Sequence, residues 1–133
     1  AIKAISFTGG TVTGRKIAQV AAPMFKKLSL ELGGKNPNLV FADCDFEQAV
    51  ATTVRSSFAN NGQICLCGSR VYVQSAIYER FRNELMLRTK KLKIGNPLDA
   101  SNDLGALVSQ QHLEKVSSYL ELAKAEGGTI LCG

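Results

Sequence analysis

The sequence predicts an α/β fold in which most of the strands are parallel. Short apolar segments alternate with longer segments whose apolar residues recur at helical spacing, and this alternation is typical of parallel sheets covered by helices. Glycine pairs at positions 9 and 10 and at positions 33 and 34 mark turns between the predicted elements. A chain of 133 residues with 45% hydrophobic content is large enough to bury a core.

The first part of the chain is predicted to form a strand, a turn and a helix. Residues 1–7 read as a short buried strand, and the helix after the glycine turn begins near Gly14 and ends before Pro23. In the next strand, leucines alternate with polar residues between positions 28 and 32. Because side chains alternate across a strand, Glu31 is predicted on the face opposite the leucines, close to an exposed end.

The middle of the chain is predicted to lead from a third strand into an amphipathic helix. The strand covers residues 38–41, and Asp45 is a suitable N-cap for a helix from position 46 to about position 60. Apolar residues recur on one face of that helix, at positions 46, 50, 54 and 58. The helix leads directly into a glycine-flanked turn that contains Cys65.

The last part continues the alternation of strands and helices. Residues 71–73 read as a strand, Ser75 is expected to cap a helix over residues 76–91, and Ser109 opens a final helix that ends at a glycine pair. A strand is predicted to start at residues 129–132. The inner face of the final helix is predicted to consist of Leu113, Val116, Leu120 and Ala123.

Composition and charge exclude several classes of function. The net charge of +5 includes a basic cluster between residues 80 and 93, most of which is predicted to be the solvated face of a helix. Aromatic residues suited to base stacking do not alternate with these cations, so no nucleic-acid partner is expected. No apolar run is long enough to span a bilayer and no signal-peptide pattern opens the chain, so we expect no membrane partner and a cytoplasmic location.

Cys65 is the candidate nucleophile. It lies in a turn between a predicted helix and a predicted strand, where a thiol is presented to solvent. A thiolate is a strong nucleophile, and the backbone N–H groups of a turn can stabilise an oxyanion. A buried, unreactive cysteine is the alternative, because free cysteines are often found in cores.

The glycine-rich turn from Gly9 to Gly14 has two interpretations. A turn between a strand and a helix can bind phosphate through free N–H groups, or it can be structural only. Its spacing fits neither the G-x-G-x-x-G fingerprint nor a P-loop, because Arg15 follows Gly14 where a P-loop has Lys. A phosphotransferase of the P-loop type is therefore a rival function that nucleotide binding would test.

Glu31 and His112 are the remaining titratable candidates. A carboxylate at a strand end is often a plain surface residue, but it can also be the base that activates water to hydrolyse a thioester. His112 falls in the first turn of the final helix, where a solvated histidine is expected, and a cysteine hydrolase that pairs it with Cys65 is an alternative. The cysteines are expected to be reduced, and no tetrahedral zinc site is predicted.

Three motifs, in order along the chain, resemble those of the aldehyde dehydrogenase superfamily. Residues 7–14 (FTGGTVTG) are similar to the family's cofactor loop, residues 30–37 (LELGGKNP) to its glutamate motif, and residues 58–70 (FANNGQICLCGSR) to its cysteine motif. The segment from Arg55 to Asn60, with the Cys-Leu-Cys step that follows Ile64, is most similar to the branch that oxidises muconic semialdehydes.

The resemblance implies a reaction and a site. It implies that the Cys65 thiolate attacks an aldehyde and that hydride then passes to NAD, which leaves a thioester on Cys65; NADP is the alternative cofactor. It also implies that Glu31 activates the water that hydrolyses this thioester. Many members carry Ser where this chain has Gly10, so a hydroxyl contact to the phosphate is lost and weaker cofactor binding is expected. The implied cofactor-binding residues are Gly9, Gly10, Thr11, Gly14 and Leu32.

The resemblance also implies a domain organisation. Residues 1–31 are expected to be the C-terminal end of a Rossmann-like NAD(P)-binding domain, and residues 32–133 the first part of an α/β catalytic domain. Family members run to several hundred residues, so the chain is expected to be an internal segment with open sheet edges that is inactive alone. The whole protein is expected to be a homo-oligomer, and its substrate is expected to be a small-molecule aldehyde. The alternative is that the protein shares the fold of the family but has no catalytic activity.

Overall fold

The fold consists of two strand–helix–strand units followed by two further helices. The computed structural model describes residues 2–133. Short 3-10 turns lie at Ala22–Met24, Ala59–Gly62 and Ser75–Ile77. The strands and helices are, in order, β1 (Ala4–Gly9), α1 (Thr11–Ala21), β2 (Lys27–Leu32), β3 (Pro37–Val40), α2 (Phe46–Phe58), β4 (Arg70–Val73), α3 (Tyr78–Thr89) and α4 (Gln110–Ala125).

Both sheets are pairs of parallel strands. In the first sheet β1 pairs with β2, with Ala4 opposite Lys27 and Gly9 opposite Leu32. In the second sheet β3 pairs with β4. Each pair is connected through a helix, because parallel strands need a crossover that a short turn cannot provide. The predicted α/β class with parallel strands is confirmed.

Local signals in the sequence account for the position of several elements. Along β2 the leucines are half-buried and the residues between them are exposed, so Glu31 lies on the face opposite the leucines, as predicted. The Asp45 carboxylate caps α2 by accepting the Gln48 N–H at 3.1 Å. Ser109 caps α4 in the same way, and its hydroxyl accepts the His112 N–H at 3.2 Å.

The most completely buried side chains lie in the second unit and in α3, which packs against it. Val40, Val50 and Phe81 join β3, α2 and α3 in one apolar cluster. Phe46 packs edge-on against Phe81 with ring centroids 6.0 Å apart, and the Arg80 guanidinium lies 3.8 Å from the centroid of the Phe46 ring. This cluster fixes the orientation of α2 and therefore the direction in which the chain enters the turn around Cys65.

The helix after the glycine turn begins earlier than predicted. Its first residue is Thr11, and Gly10 in extended conformation is its N-cap. The Gly14 N–H already donates to the Gly10 carbonyl at 3.0 Å, so Gly14 lies inside the helix and does not start it. Glycine usually destabilises a helix interior, but Gly14 is buried where α1 rests on β2.

Three predictions in the last part of the chain are wrong. Ser75 is not the N-cap of α3, because a 3-10 turn intervenes and the helix starts at Tyr78. Residues 129–132 form no strand, since a strand requires a hydrogen-bonded neighbour and residues 2–133 provide none beside this segment. The predicted inner face of α4 is not buried, since Leu113, Val116 and Leu120 are 46%, 37% and 50% exposed.

Candidate functional site

The turn that presents Cys65 begins with three residues in the left-handed conformation. α2 ends at Phe58, and Asn60, Asn61 and Gly62 follow with φ of 51°, 57° and 69°. Asparagine and glycine adopt this conformation at lower cost than other residues. The chain therefore turns sharply away from the helix axis and leaves Cys65 exposed.

Hydrogen bonds hold the same turn on two sides. From the sheet side, the Asn36 side-chain amide donates to the backbone carbonyls of Cys65, at 2.6 Å, and of Cys67, at 3.1 Å. From the helix side, the Gly68 N–H donates to the Ser56 carbonyl at 3.0 Å. The exposed thiol therefore occupies a position defined by both the sheet and the helix.

The parallel pairing of β1 and β2 brings the glycine turn next to Glu31. Thr8 lies opposite Glu31 and Gly9 lies opposite Leu32, at the carboxyl ends of the two strands. Loops that follow the carboxyl ends of parallel strands share one edge of the sheet, and this edge is where ligands bind in open α/β sheets. Glu31 itself is exposed at this edge.

One cleft brings together most of the residues that the sequence singled out. It has a volume of about 640 Å³, which is in the range of ligand-binding pockets. Cys65 and Glu31 both line this cleft, together with Leu32 and the glycine turn at Gly9 and Gly10. We name it the cysteine cleft. A candidate nucleophile, a carboxylate and a glycine turn therefore line the same space.

The implied cofactor-binding residues divide into two groups. Gly9, Gly10 and Leu32 line the cysteine cleft, whereas Thr11 and Gly14 do not. An added Cβ at Gly10 would meet no atom within 4 Å, so the backbone at this position is open to a ligand. Gly14 is buried against the Leu32 side chain and serves the packing of α1 on β2.

His112 also lines the cysteine cleft. The sequence predicted a solvated side chain at the start of the final helix, with a pairing to Cys65 as the alternative, and the residue is half-buried in the cleft that Cys65 also lines. The separation of about fifty positions from Cys65 hides this juxtaposition in the sequence. The two hydrogen bonds from Asn36 to the cysteine turn likewise leave no signal in the spacing of the motifs.

The described part of the chain contains neither a metal-binding cluster nor a helix that could cross a membrane. Within residues 2–133, no group of three or more His, Cys, Asp or Glu side chains is arranged to hold a metal ion. Over the same residues, no helix combines the length and the apolar character that crossing a bilayer requires. All four cysteines are free thiols.

Comparison with known proteins gives one consistent result. The family model described as Aldehyde dehydrogenase family matches residues 1–133. A 2-aminomuconic semialdehyde dehydrogenase of Danio rerio is 55% identical over 129 residues, which cover 97% of this chain and 26% of that protein. A 2-aminomuconic 6-semialdehyde dehydrogenase of a Pseudomonas species is 48% identical over 132 residues, which cover 99% of this chain and 27% of that protein.

Solved structures agree with the sequence relatives. A crystal structure of betaine aldehyde dehydrogenase from Staphylococcus aureus, in complex with NAD⁺, superposes with a TM-score of 0.93 and 45% identity. The match covers 98% of this chain and 26% of that one. The chain therefore spans about a quarter of the length of the curated relatives it matches.

Proposed function

Because the chain belongs to the aldehyde dehydrogenase family, we propose that it is part of an NAD(P)-dependent enzyme that oxidises an aldehyde to a carboxylic acid. One observation carries the proposal: Cys65, Glu31 and the glycine turn line a single cleft. The relatives named for 2-aminomuconic semialdehyde favour a muconic semialdehyde as the substrate.

In the proposed reaction the Cys65 thiolate attacks the aldehyde carbon and forms a thiohemiacetal. The Cys65 backbone N–H stabilises the oxyanion that develops. NAD, when bound, supplies the acceptor for the hydride that leaves the same carbon, and a thioester on Cys65 results. Glu31 accepts a proton from water, the hydroxide attacks the thioester carbon, and the carboxylic acid leaves while the thiolate is restored.

The residues at the glycine turn fit a dinucleotide. The open backbone at Gly10 and the N-terminus of α1, an 11-residue helix, can face a pyrophosphate. Gly9 and Leu32 line the same cleft. Thr11 and Gly14 contribute to this binding indirectly. Thr11 is the first residue of α1, and Gly14 lets α1 pack on β2. We propose NAD as the cofactor, with NADP as the alternative.

The proposed domain boundary lies at the end of β2. Residues 1–31 belong to the end of the cofactor-binding domain and residues 32–133 to the first part of the catalytic domain. The separation of β1 and β2 from β3 and β4 into two sheets supports this division. We also propose that the whole protein is a cytoplasmic homo-oligomer, which cell fractionation and size-exclusion chromatography would test. We propose further that residues 1–133 alone are inactive, which an assay of this segment would test.

Pre-steady-state kinetics of the full-length protein test the reaction. Cys65→Ala is expected to abolish NADH formation. Glu31→Gln is expected to leave a burst of one NADH per active subunit and then to stop at the thioester, because hydrolysis lacks its base. Cys132→Ser removes a thiol outside the cleft and is the matched control. A Glu31→Gln enzyme that turns over at the normal rate would contradict the assigned role.

A cysteine hydrolase is the second candidate, because His112 shares the cleft with Cys65. A hydrolase would need His112 and would be indifferent to nicotinamide cofactors. We expect His112→Ala to retain NAD-dependent oxidation of the aldehyde. If this variant instead loses all activity, and the wild-type enzyme cleaves esters equally well without NAD, the hydrolase is the correct assignment.

A further inference from the structure

The turn between α2 and Cys65 contains an Asn-Gly step. Asn61 is the only asparagine of this sequence that is followed by glycine. The backbone nitrogen of the next residue can attack the side-chain amide carbon of an asparagine, and only glycine leaves that nitrogen without a neighbouring side chain. Gly62 is exposed, so solvent reaches the peptide bond between the two residues. This step is therefore the place in the sequence where such an attack meets the least steric hindrance.

The backbone of the Asn-Gly step has a conformation of low intrinsic stability. Asn61 has φ of 57° and ψ of 29°, in the left-handed region that residues other than glycine seldom adopt. Closure of a ring between the two residues requires ψ of Asn61 to rotate. Gly62 can follow this rotation, because glycine adopts positive and negative φ about equally readily. Asn60 shares the left-handed conformation, but the side chain of the next residue hinders attack on its amide.

The side-chain amide of Asn61 is held weakly. Its nitrogen donates to the Ala106 carbonyl at 3.4 Å, which is longer than the usual N–H···O bond. Asn36, by contrast, donates twice, at 2.6 Å and 3.1 Å, and Asn38 donates to the Thr53 hydroxyl at 2.9 Å. The Asn61 amide can therefore leave its partner at small cost, as ring closure requires.

We propose that Asn61 is a site of spontaneous deamidation whose products lower the reactivity of Cys65. The Gly62 nitrogen loses its proton and forms a bond to the Asn61 Cγ atom, the Cγ–Nδ2 bond breaks, and ammonia leaves with a proton in place of the one lost. A solvent water molecule then opens the resulting succinimide at either carbonyl carbon, which gives aspartate or isoaspartate. The inference goes beyond the proposed function, and only the effect on turnover rests on it.

Both products alter the turn that carries Cys65. Isoaspartate inserts the Cβ atom of residue 61 into the main chain, which lengthens the connection between α2 and the thiol. Either product loses the donor to Ala106 and places a negative charge between Asn60 and Gly62, which both line the cysteine cleft. The added charge repels a thiolate in the same cleft, and the thiolate is the reactive form of cysteine.

Ageing of the full-length protein at mildly alkaline pH tests the modification, because the attack requires a deprotonated backbone nitrogen. Trypsin releases residues 56–70, which contain Asn60, Asn61 and Cys65, as one peptide. Fragment spectra of this peptide are expected to show that a carboxyl group replaces the amide at Asn61 and not at Asn60. An isoaspartyl methyltransferase should label the same peptide. Retention of the amide at Asn61, or equal conversion at Asn60, would overturn the inference.

The rate at which iodoacetamide alkylates Cys65 measures the effect on the thiol. In one aged sample of the wild-type protein, alkylation is expected to be several-fold slower in molecules with a modified residue 61 than in molecules that retain the amide. Asn61→Gln keeps an amide but would have to close a larger ring, so it should retain its own initial rate during ageing. Asn61→Asp reproduces one product and should react slowly from the start. Equal rates in modified and unmodified wild-type molecules would overturn the inference.

The peptide spectra and the alkylation rates do not depend on the proposed oxidation. Fresh protein that oxidises neither 2-aminomuconic semialdehyde nor betaine aldehyde would refute the proposed function and leave both measurements valid. If the fresh protein does oxidise an aldehyde, the burst of NADH is expected to fall in step with the deamidated fraction. A burst that stays constant while this fraction grows would overturn the effect of the modification on Cys65.

Discussion

Gly14 lies so close to Leu32 that a Cβ atom added to it would come within 2.6 Å of the Leu32 Cδ2 atom. The first residue belongs to α1 and the second ends β2. The absence of a side chain at Gly14 therefore lets the helix after the glycine turn rest directly on the strand that carries Glu31. Leu32 therefore joins α1 to the cysteine cleft, which it also lines.

We expect Gly14→Ala to destabilise the full-length protein by about 1 kcal/mol, because the overpacking cost of about 1–3 kcal/mol is partly offset by the gain of about 1 kcal/mol from replacing glycine inside a helix. Denaturant unfolding would measure this loss. Gly33→Ala is the matched control, because a Cβ at that position would meet no atom within 4 Å. Adding Leu32→Ala to Gly14→Ala should recover part of the loss, and equal effects of Gly14→Ala and Gly33→Ala would contradict the contact.

Gly10→Ser is expected to strengthen cofactor binding. The position has open space, and its φ of −69° and ψ of 143° suit an N-cap serine. The added hydroxyl could bond to the cofactor phosphate or to an N–H in the first turn of α1. Calorimetric titration of the full-length protein with NAD should give a dissociation constant several-fold lower, as one added hydrogen bond would produce. A weaker affinity for NAD would argue against a phosphate at Gly10.

Asn36→Ala is expected to loosen the turn that carries Cys65. The substitution removes both hydrogen bonds to the turn, at a cost of about 1–3 kcal/mol. In the full-length enzyme kcat should fall more than KM rises, because the thiol is displaced while the rest of the cysteine cleft persists. Asn83→Ala, at an exposed site on α3, is the control for general loss of stability. Unchanged kcat in Asn36→Ala would show that the turn holds its position without these bonds.

Thr53→Val is expected to destabilise the protein although the two side chains have nearly the same shape. Thr53 is only 1% exposed, and its hydroxyl accepts a hydrogen bond from the Asn38 side-chain amide at 2.9 Å. Valine would leave that half-buried amide without this acceptor, at about 1–3 kcal/mol. Thermal unfolding would detect the change, and Thr52→Val, at the exposed neighbouring position, should have little effect. Similar melting temperatures for the two variants would refute the role of the bond.

Sequence patterns predicted the features that depend on local chemistry. The alternation along β2 predicted the face of Glu31, and the side chains of Asp45 and Ser109 predicted the starts of α2 and α4. The glycine turn and the turn around Cys65 were located by residue type. These features need only the strand period, the capping geometry and the turn chemistry of a few neighbouring residues.

Features that depend on packing between distant segments were missed. The predicted helix start near Gly14 lies after the observed start at Thr11, because the contact with Leu32 that places Gly14 inside the helix exists only in the folded unit. The full lining of the cysteine cleft arises in the same way, since it combines residues of β1, β2, the cysteine turn and α4 that are separated along the chain. The periodicity of apolar residues carries no information about contacts between segments that are distant along the chain.

The pairing of Thr8 with Glu31 has an evolutionary consequence. Neighbouring positions in β2 point to opposite faces, so a slip by a single residue would turn the carboxylate toward the leucine face and put a leucine on the face that Glu31 now occupies. Insertions or deletions within this strand should therefore be purged in descendants that retain the chemistry, whereas length changes elsewhere on the surface are tolerated. Descendants that use Glu31 in the proposed reaction are therefore expected to keep the number of residues in β2 unchanged.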